Sequence, residues 1–162
     1  MSDITTLTPE ELTELREGPA LAGAIVASAS PNLMDMFSEM GAAVRKIAAA
    51  KKEFPNNALI GRLIPDAEEA KTAETPKMPE IPSGADAAGR QAALVAELAK
   101  IAAIADKYGV EGAEYKKWVY SVAVAVAESA KEGDFLGFGG VLVSEDEKTA
   151  LAAIAGALNV TP

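Results

Sequence analysis

The chain contains no cysteine and no histidine. Those two absences remove disulfides, thiol nucleophiles, Cys/His zinc sites, histidine-ligated haem and Ser-His-Asp triads together. Any metal would have to be held by carboxylates, carbonyls and water, a donor set suited to hard cations such as Ca²⁺ or Mg²⁺. Aromatic residues are scarce at 5%, so apolar burial must come mostly from small aliphatic side chains, alanine above all. Positive charge is also in short supply: 15 Lys and Arg face 24 Asp and Glu, for a net charge of −9. Such a field repels phosphate backbones and anionic lipid surfaces, which argues against nucleic acid and membranes as partners. Nor is there a clean spanning run, since the uncharged stretch from Gly18 to Met34 is interrupted by Pro19, Ser28, Ser30, Pro31 and Asn32. The residues before it are acidic, the reverse of a secretory n-region, so the chain reads as cytoplasmic.

What is present is an ordinary globular balance, 49% hydrophobic and 24% charged over 162 residues, a length suited to one domain. The hydrophobic spacing is helical throughout, which predicts an all-α fold. Thr8-Pro9-Glu10-Glu11 has the form of a capping box opening a short helix to about Glu17, and Gly18-Pro19 is expected to break it and open a second. After Ser30-Pro31, the residues Leu33, Phe37, Met40, Val44 and Ile47 are spaced as the buried face of a third helix ending near Lys52. Leu59 to Ile64 adds a turn or two before Pro65. From Asp66 to Pro82 four prolines border or interrupt a polar run, which reads as a linker or surface loop.

Beyond it, Ser83 is a predicted cap, with Asp86 at the third position, for a helix whose stripe is Leu94, Leu98, Ile101, Ala105 and Tyr108. Gly109 is placed for a left-handed stop. The next helix, about Glu111 to Lys131, sets Tyr115, Trp118, Val119, Val122 and Val126 on one face and is expected to be central. Ser144-Glu145-Asp146-Glu147 forms a second capping box before Leu151, Ile154, Ala155 and Leu158. The expected architecture is a compact bundle of about six to seven helices, in two halves flanking residues 66–82. Neither half has enough core to stand alone, so a shared core is expected.

The least generic stretch is Gly133 to Val143, with four glycines and two phenylalanines. A phosphate-binding loop normally follows a strand and opens a helix, whereas this one follows a helix and leads into Glu145, Asp146 and Glu147, which repel phosphate. Its plain reading is a turn in which glycine permits positive φ while Phe135, Leu136 and Phe138 plug the core. Its functional reading is a Ca²⁺ or Mg²⁺ site built from Asp134, Glu145, Glu147 and loop carbonyls, without the spacing of an EF-hand. The pairs Glu10/Glu14 and Glu68/Glu69 read as solvated faces, since acid-base chemistry needs a partly desolvated setting.

The small-residue helix from Val122, the acidic-glycine step at Gly133-Asp134, Ser144-Glu145-Asp146-Glu147 and Leu151 to Ala155 together resemble the TerB-like, tellurite-resistance type of helical domain. The step is reversed here, and Phe135 to Val143 lengthens the loop. Ala20 to Ala29, Ser30-Pro31 and Glu39 resemble a reduced counterpart in the first half. The resemblance implies an all-α fold, acidic metal sites and a role in stress-associated assemblies. From the residues themselves, the expected function is a non-enzymatic helical interaction domain that contacts a protein partner or itself, with a carboxylate-based cation- or small-ligand-binding module at Gly133–Val143 as the alternative.

Overall fold

The computed structural model describes residues 3–29, 33–64, 86–129 and 143–162, and for 33–40 the backbone only. The described residues form five long helices and one short one, with no strand among them: α1 (Pro9–Ala27), α2 (Leu33–Glu53), α3 (Ala58–Leu63), α4 (Ala87–Ala105), α5 (Gly109–Ser129) and α6 (Glu145–Leu158). Single 3₁₀ turns lie at Ile4–Thr6 and Asp106–Tyr108. The polar run 66–82 and most of the Gly133–Val143 loop lie outside the described residues.

Both predicted capping boxes form. The Thr8 and Ser144 hydroxyls accept from the backbone N–H groups of Glu11 and Glu147, each at 3.2 Å, and each glutamate reaches back to its cap residue's N–H. The cap of α4 differs from expectation. It is Asp86, accepting from Gly89 N at 2.7 Å, because a carboxylate beside the first turn meets orphan donors that Ser83, three residues upstream, is too early to reach.

The predicted break at Gly18-Pro19 does not occur, and α1 runs unbroken through both residues. Proline has no N–H to give to the carbonyl four residues back, so Leu15 loses its intrahelical donor. The Tyr115 hydroxyl of α5 replaces it, donating to Leu15 O at 2.7 Å in a fully buried site. A Cβ on Gly18 would lie 2.1 Å from that hydroxyl, so glycine at 18 is the recess the phenol occupies. The two residues that signal a helix break in sequence are thus a socket for a residue about a hundred positions away. With 9–17 and 19–29 merged, the expectation of six to seven helices gives way to five long ones plus α3 among the described residues.

Helix α5 is central, as its pattern predicts: Tyr115, Trp118, Val119, Val122 and Val126 are all buried, and every other α-helix touches it. Tyr115 and Trp118 meet edge to face, with centroids 5.8 Å apart. Leu15 and Gly18 lie against Tyr115, and Gly23 against Val126, so α1 and α5 run parallel. α4 returns antiparallel through the 3₁₀ turn. There Gly109 takes φ 56°, ψ −122°, a positive φ as expected but not the left-handed helical ψ of a standard cap. Gly112 approaches so closely that a Cβ would sit 1.8 Å from Ala105 O. The predicted α4 stripe is buried along its length. One hydrophobic cluster draws on residues from Leu7 to Leu63 and from Leu94 to Leu158.

The predicted face of α2 holds at Ile47 and needs correction at Val44, while the side chains of Leu33, Phe37 and Met40 lie outside the described residues. Val44 is 65% exposed, while Ala42 and Ala50 are buried and Ala43 and Ile47 pack against the core. Residues 43, 47, 50 and 54 define the inward stripe. Spacing alone favoured the larger valine, but close approach to α5 selects the alanine side.

The Tyr115–Leu15 bond generates a double-mutant test. Tyr115→Phe leaves a buried carbonyl short of a donor and should cost about 1–3 kcal/mol in urea unfolding. In a Pro19→Ala background the restored N–H can reach Leu15 O, so the same substitution should cost measurably less. Equal costs in both backgrounds would show that proline does not create the vacancy.

Candidate functional site

The polar groups of the described residues gather in three places. At one end of the bundle, Glu11 accepts from Lys107 Nζ at 2.7 Å and from the Tyr108 hydroxyl at 2.8 Å while closing its own capping box. Arg16 donates to the carbonyls of Leu63 and Arg62, satisfying the end of α3, and Arg62 in turn donates to Ile4 O at 2.7 Å. The bonds from Lys107 and Tyr108, followed by that from Thr8, push the Glu11 carboxyl down to about 2. Burial, then the bond to Glu11, pushes the Tyr108 phenol up to about 12. Both groups are held far from neutrality, so neither is poised to exchange a proton near pH 7. Their geometry is that of a clasp joining α1, α3 and the Asp106–Tyr108 turn.

A second polar group centres on Asn57, which is buried with every side-chain role filled. Its Oδ1 accepts from Ile60 N to cap α3, and its Nδ2 donates to Glu111 O and Glu114 Oε2 at 3.0 and 2.8 Å. Glu111 also accepts from Ala58 N. Nearby in sequence, the buried Lys116 is paired with Asp106. The bonds from Asn57 and Ala58 to Glu111 and Glu114 fasten the short helix α3, with too few residues to stand unaided, onto α5.

The third place is a surface hollow of about 340 Å³ between α2 and α5. Its origin lies in the sequence of α5. Trp118 and Ala125 are seven residues apart and therefore lie on one side of the helix two turns apart. At the Trp118 end the side chain is large and buried; at the Ala125 end a methyl group faces Ala42 and Ala49 of α2, and the seam opens. Arg45 and Lys46 line the α2 rim, Glu128 the α5 rim, and Ser129 one end. Lys46 is held by Glu53 at 2.7 Å, and the exposed Val44 precedes Arg45 on the outer side of α2. Trp118 Nε1 is the one buried side-chain nitrogen or oxygen among the described residues without a hydrogen-bond partner. The sequence contains a signal for the hollow, the step from Trp118 to Ala125, but identifying α2 as the facing helix needs the fold.

Of the predicted metal residues, Glu147 is nearly buried, with Oε2 accepting from the Ser144 N–H and hydroxyl at 2.7 and 2.8 Å. Glu145 is exposed and paired with Lys148 at 2.6 Å. Asp134 and the glycine-rich residues lie outside the described residues, as do Glu68 and Glu69. Among the described residues, no three Asp or Glu side chains converge as a metal cluster. No described helix is long and apolar enough to cross a membrane. No family model matches the chain, and neither a curated protein nor a solved structure matches it.

Two measurements check this reading. Because the Glu11 pKa is depressed from 4.5 in the fold, its contribution to stability is present above about pH 4.5 and lost as the pH falls towards 2. Glu11→Gln should therefore be less stable than wild type at neutral pH, and the two unfolding curves should converge near pH 2; a constant gap would remove the charge from the explanation. Ala125→Leu should be tolerated, since the hollow has room for it, whereas Ala123→Leu in the sealed core should cost about 1–3 kcal/mol by overpacking. Equal losses in thermal melts would mean that the hollow is not open space.

Proposed function

We propose that the chain is a non-enzymatic helical interaction domain whose contact surface is the α2/α5 seam. The hollow between α2 and α5 carries this reading, because it joins alanines of both helices to the charged side chains of Arg45, Lys46 and Glu128. A groove of that kind suits a protruding side chain from a protein partner or from another copy of the chain. The clasp and the Asn57 group support the same reading from the other side. Their donors and acceptors are committed to joining helices, which makes a firm platform and leaves the ionisable groups described there unsuited to turnover.

The alternative of a cation module at Gly133–Val143 carries an energetic requirement. A cation would have to draw Glu147 from a cap in which it accepts two bonds, and Glu145 from Lys148. The TerB-like resemblance and its stress-associated role remain a proposal resting on the residues from Val122 to Leu158.

The absence of cysteine provides a clean test. A photoactivatable cross-linker attached to Glu128→Cys, exposed on the edge of the hollow, should give a discrete protein adduct in extracts of the source cells. The same reagent on Lys100→Cys, on the exposed side of α4, should not. Equal labelling from both positions, or none from Glu128→Cys, would remove the α2/α5 seam as the contact surface.

A further inference from the structure

We infer that the occupant of the α2/α5 seam is an acidic amphipathic segment of another protein, seating an apolar side chain in the hollow and its carboxylates along α2. This inference rests on the contact reading above and gives the partner a chemistry. It starts from charge placement. The chain carries 15 cations against 24 anions, yet Arg45, Lys46, Lys51 and Lys52 fall within eight residues on the second half of α2, with Glu53 the one acid there. Lysines in the last turn suit the helix C-terminus, which accounts for Lys51 and Lys52 on structural grounds. Arg45 is two turns earlier, exposed on the rim of the hollow, and helix-end electrostatics do not account for it.

The outer surface of α2 continues the pattern. Arg45, Ala48 and Lys52 are exposed at i, i+3 and i+7, so two cations flank a methyl group along one ridge that meets the hollow at Arg45. A partner helix with the complementary pattern would set an aliphatic group over Ala48 and carboxylates beside Arg45 and Lys52. Glu128 on the opposite rim repels carboxylates and confines them to the α2 side, which gives the docked segment an orientation. The alanines of the hollow offer nothing to a phosphate backbone, whereas they accept an aliphatic side chain.

The probe is a synthetic amphipathic peptide of Glu, Ala and Leu, added to isotope-labelled full-length chain and followed by amide chemical shifts. Saturable shifts should map to residues 42–49 and 125–129. Arg45→Glu combined with Lys52→Glu, both at exposed sites, should weaken binding about tenfold or more. Ala125→Trp should block the hollow, and the peptide with Lys in place of Glu should not bind. The inference is overturned by no saturable shift, by equal binding of the lysine peptide, or by indifference to charge reversal. Shifts at these residues on concentrating the protein alone, pointing to a second copy, would also overturn it, as would a single-stranded DNA oligonucleotide competing for the same residues. An adduct at Glu128→Cys without peptide binding removes the acidic partner and leaves the contact reading standing. Peptide binding without an adduct removes the contact reading instead.

Discussion

The hydrogen bond from the Tyr115 hydroxyl to the Leu15 carbonyl is the constraint around which the bundle is arranged. It exists because Pro19 cannot supply the N–H that an α-helix requires, and it is reachable because Gly18 has no side chain. A buried carbonyl with a missing donor destabilises the fold, and a buried phenol without an acceptor does the same. Each group therefore needs the other, and together they set the depth and register at which α1 lies along α5. Burial accordingly pushes the Tyr115 phenol upward, well beyond its ordinary value, which keeps it protonated as the donor.

Once α1 and α5 are locked, the remaining contacts follow from the sizes of neighbouring side chains. Gly112 lets α5 meet the end of α4 at backbone distance, and Gly23 lets α1 lie against Val126. Glu11, Arg16 and Arg62 close one end of the bundle with bonds that cross between distant parts of the chain. Charge-assisted bonds of this kind discriminate between packings because any slip of α3 or of the Asp106–Tyr108 turn would break several together. The α2/α5 seam is the counterpoint. There small residues on both helices leave space that the described residues do not fill, so the property that permits close packing elsewhere produces a recess at the surface.

Much of this was legible locally. The capping boxes at Thr8 and Ser144, the α4 stripe from Leu94 to Tyr108 and the buried face of α5 follow from hydroxyls, glutamates and a period of 3.6, all within one helix. Three local expectations did not hold, each because a distant or neighbouring group changed the balance. Pro19 continues a helix because Tyr115 supplies the missing donor. Val44 faces outward because α5 approaches over alanines. Asp86, and not Ser83, caps α4 because the helix begins at Ala87 and a cap must directly precede the first turn. For the candidate site, the sequence showed the step from Trp118 to Ala125 and the basic half of α2 as separate facts, with nothing to say that they adjoin.

The sequence by itself determined the all-helical character, most helix starts, the stripe that each of α4, α5 and α6 buries, and the exclusion of histidine and cysteine chemistry. These depend on residue type and on spacing within a turn or two. Only the tertiary structure decided which carbonyl Tyr115 satisfies, which side of α2 is inward, and that Arg45 and Ala125 share a hollow. Those outcomes depend on contacts between residues tens of positions apart, and such contacts leave no periodic mark in a single chain.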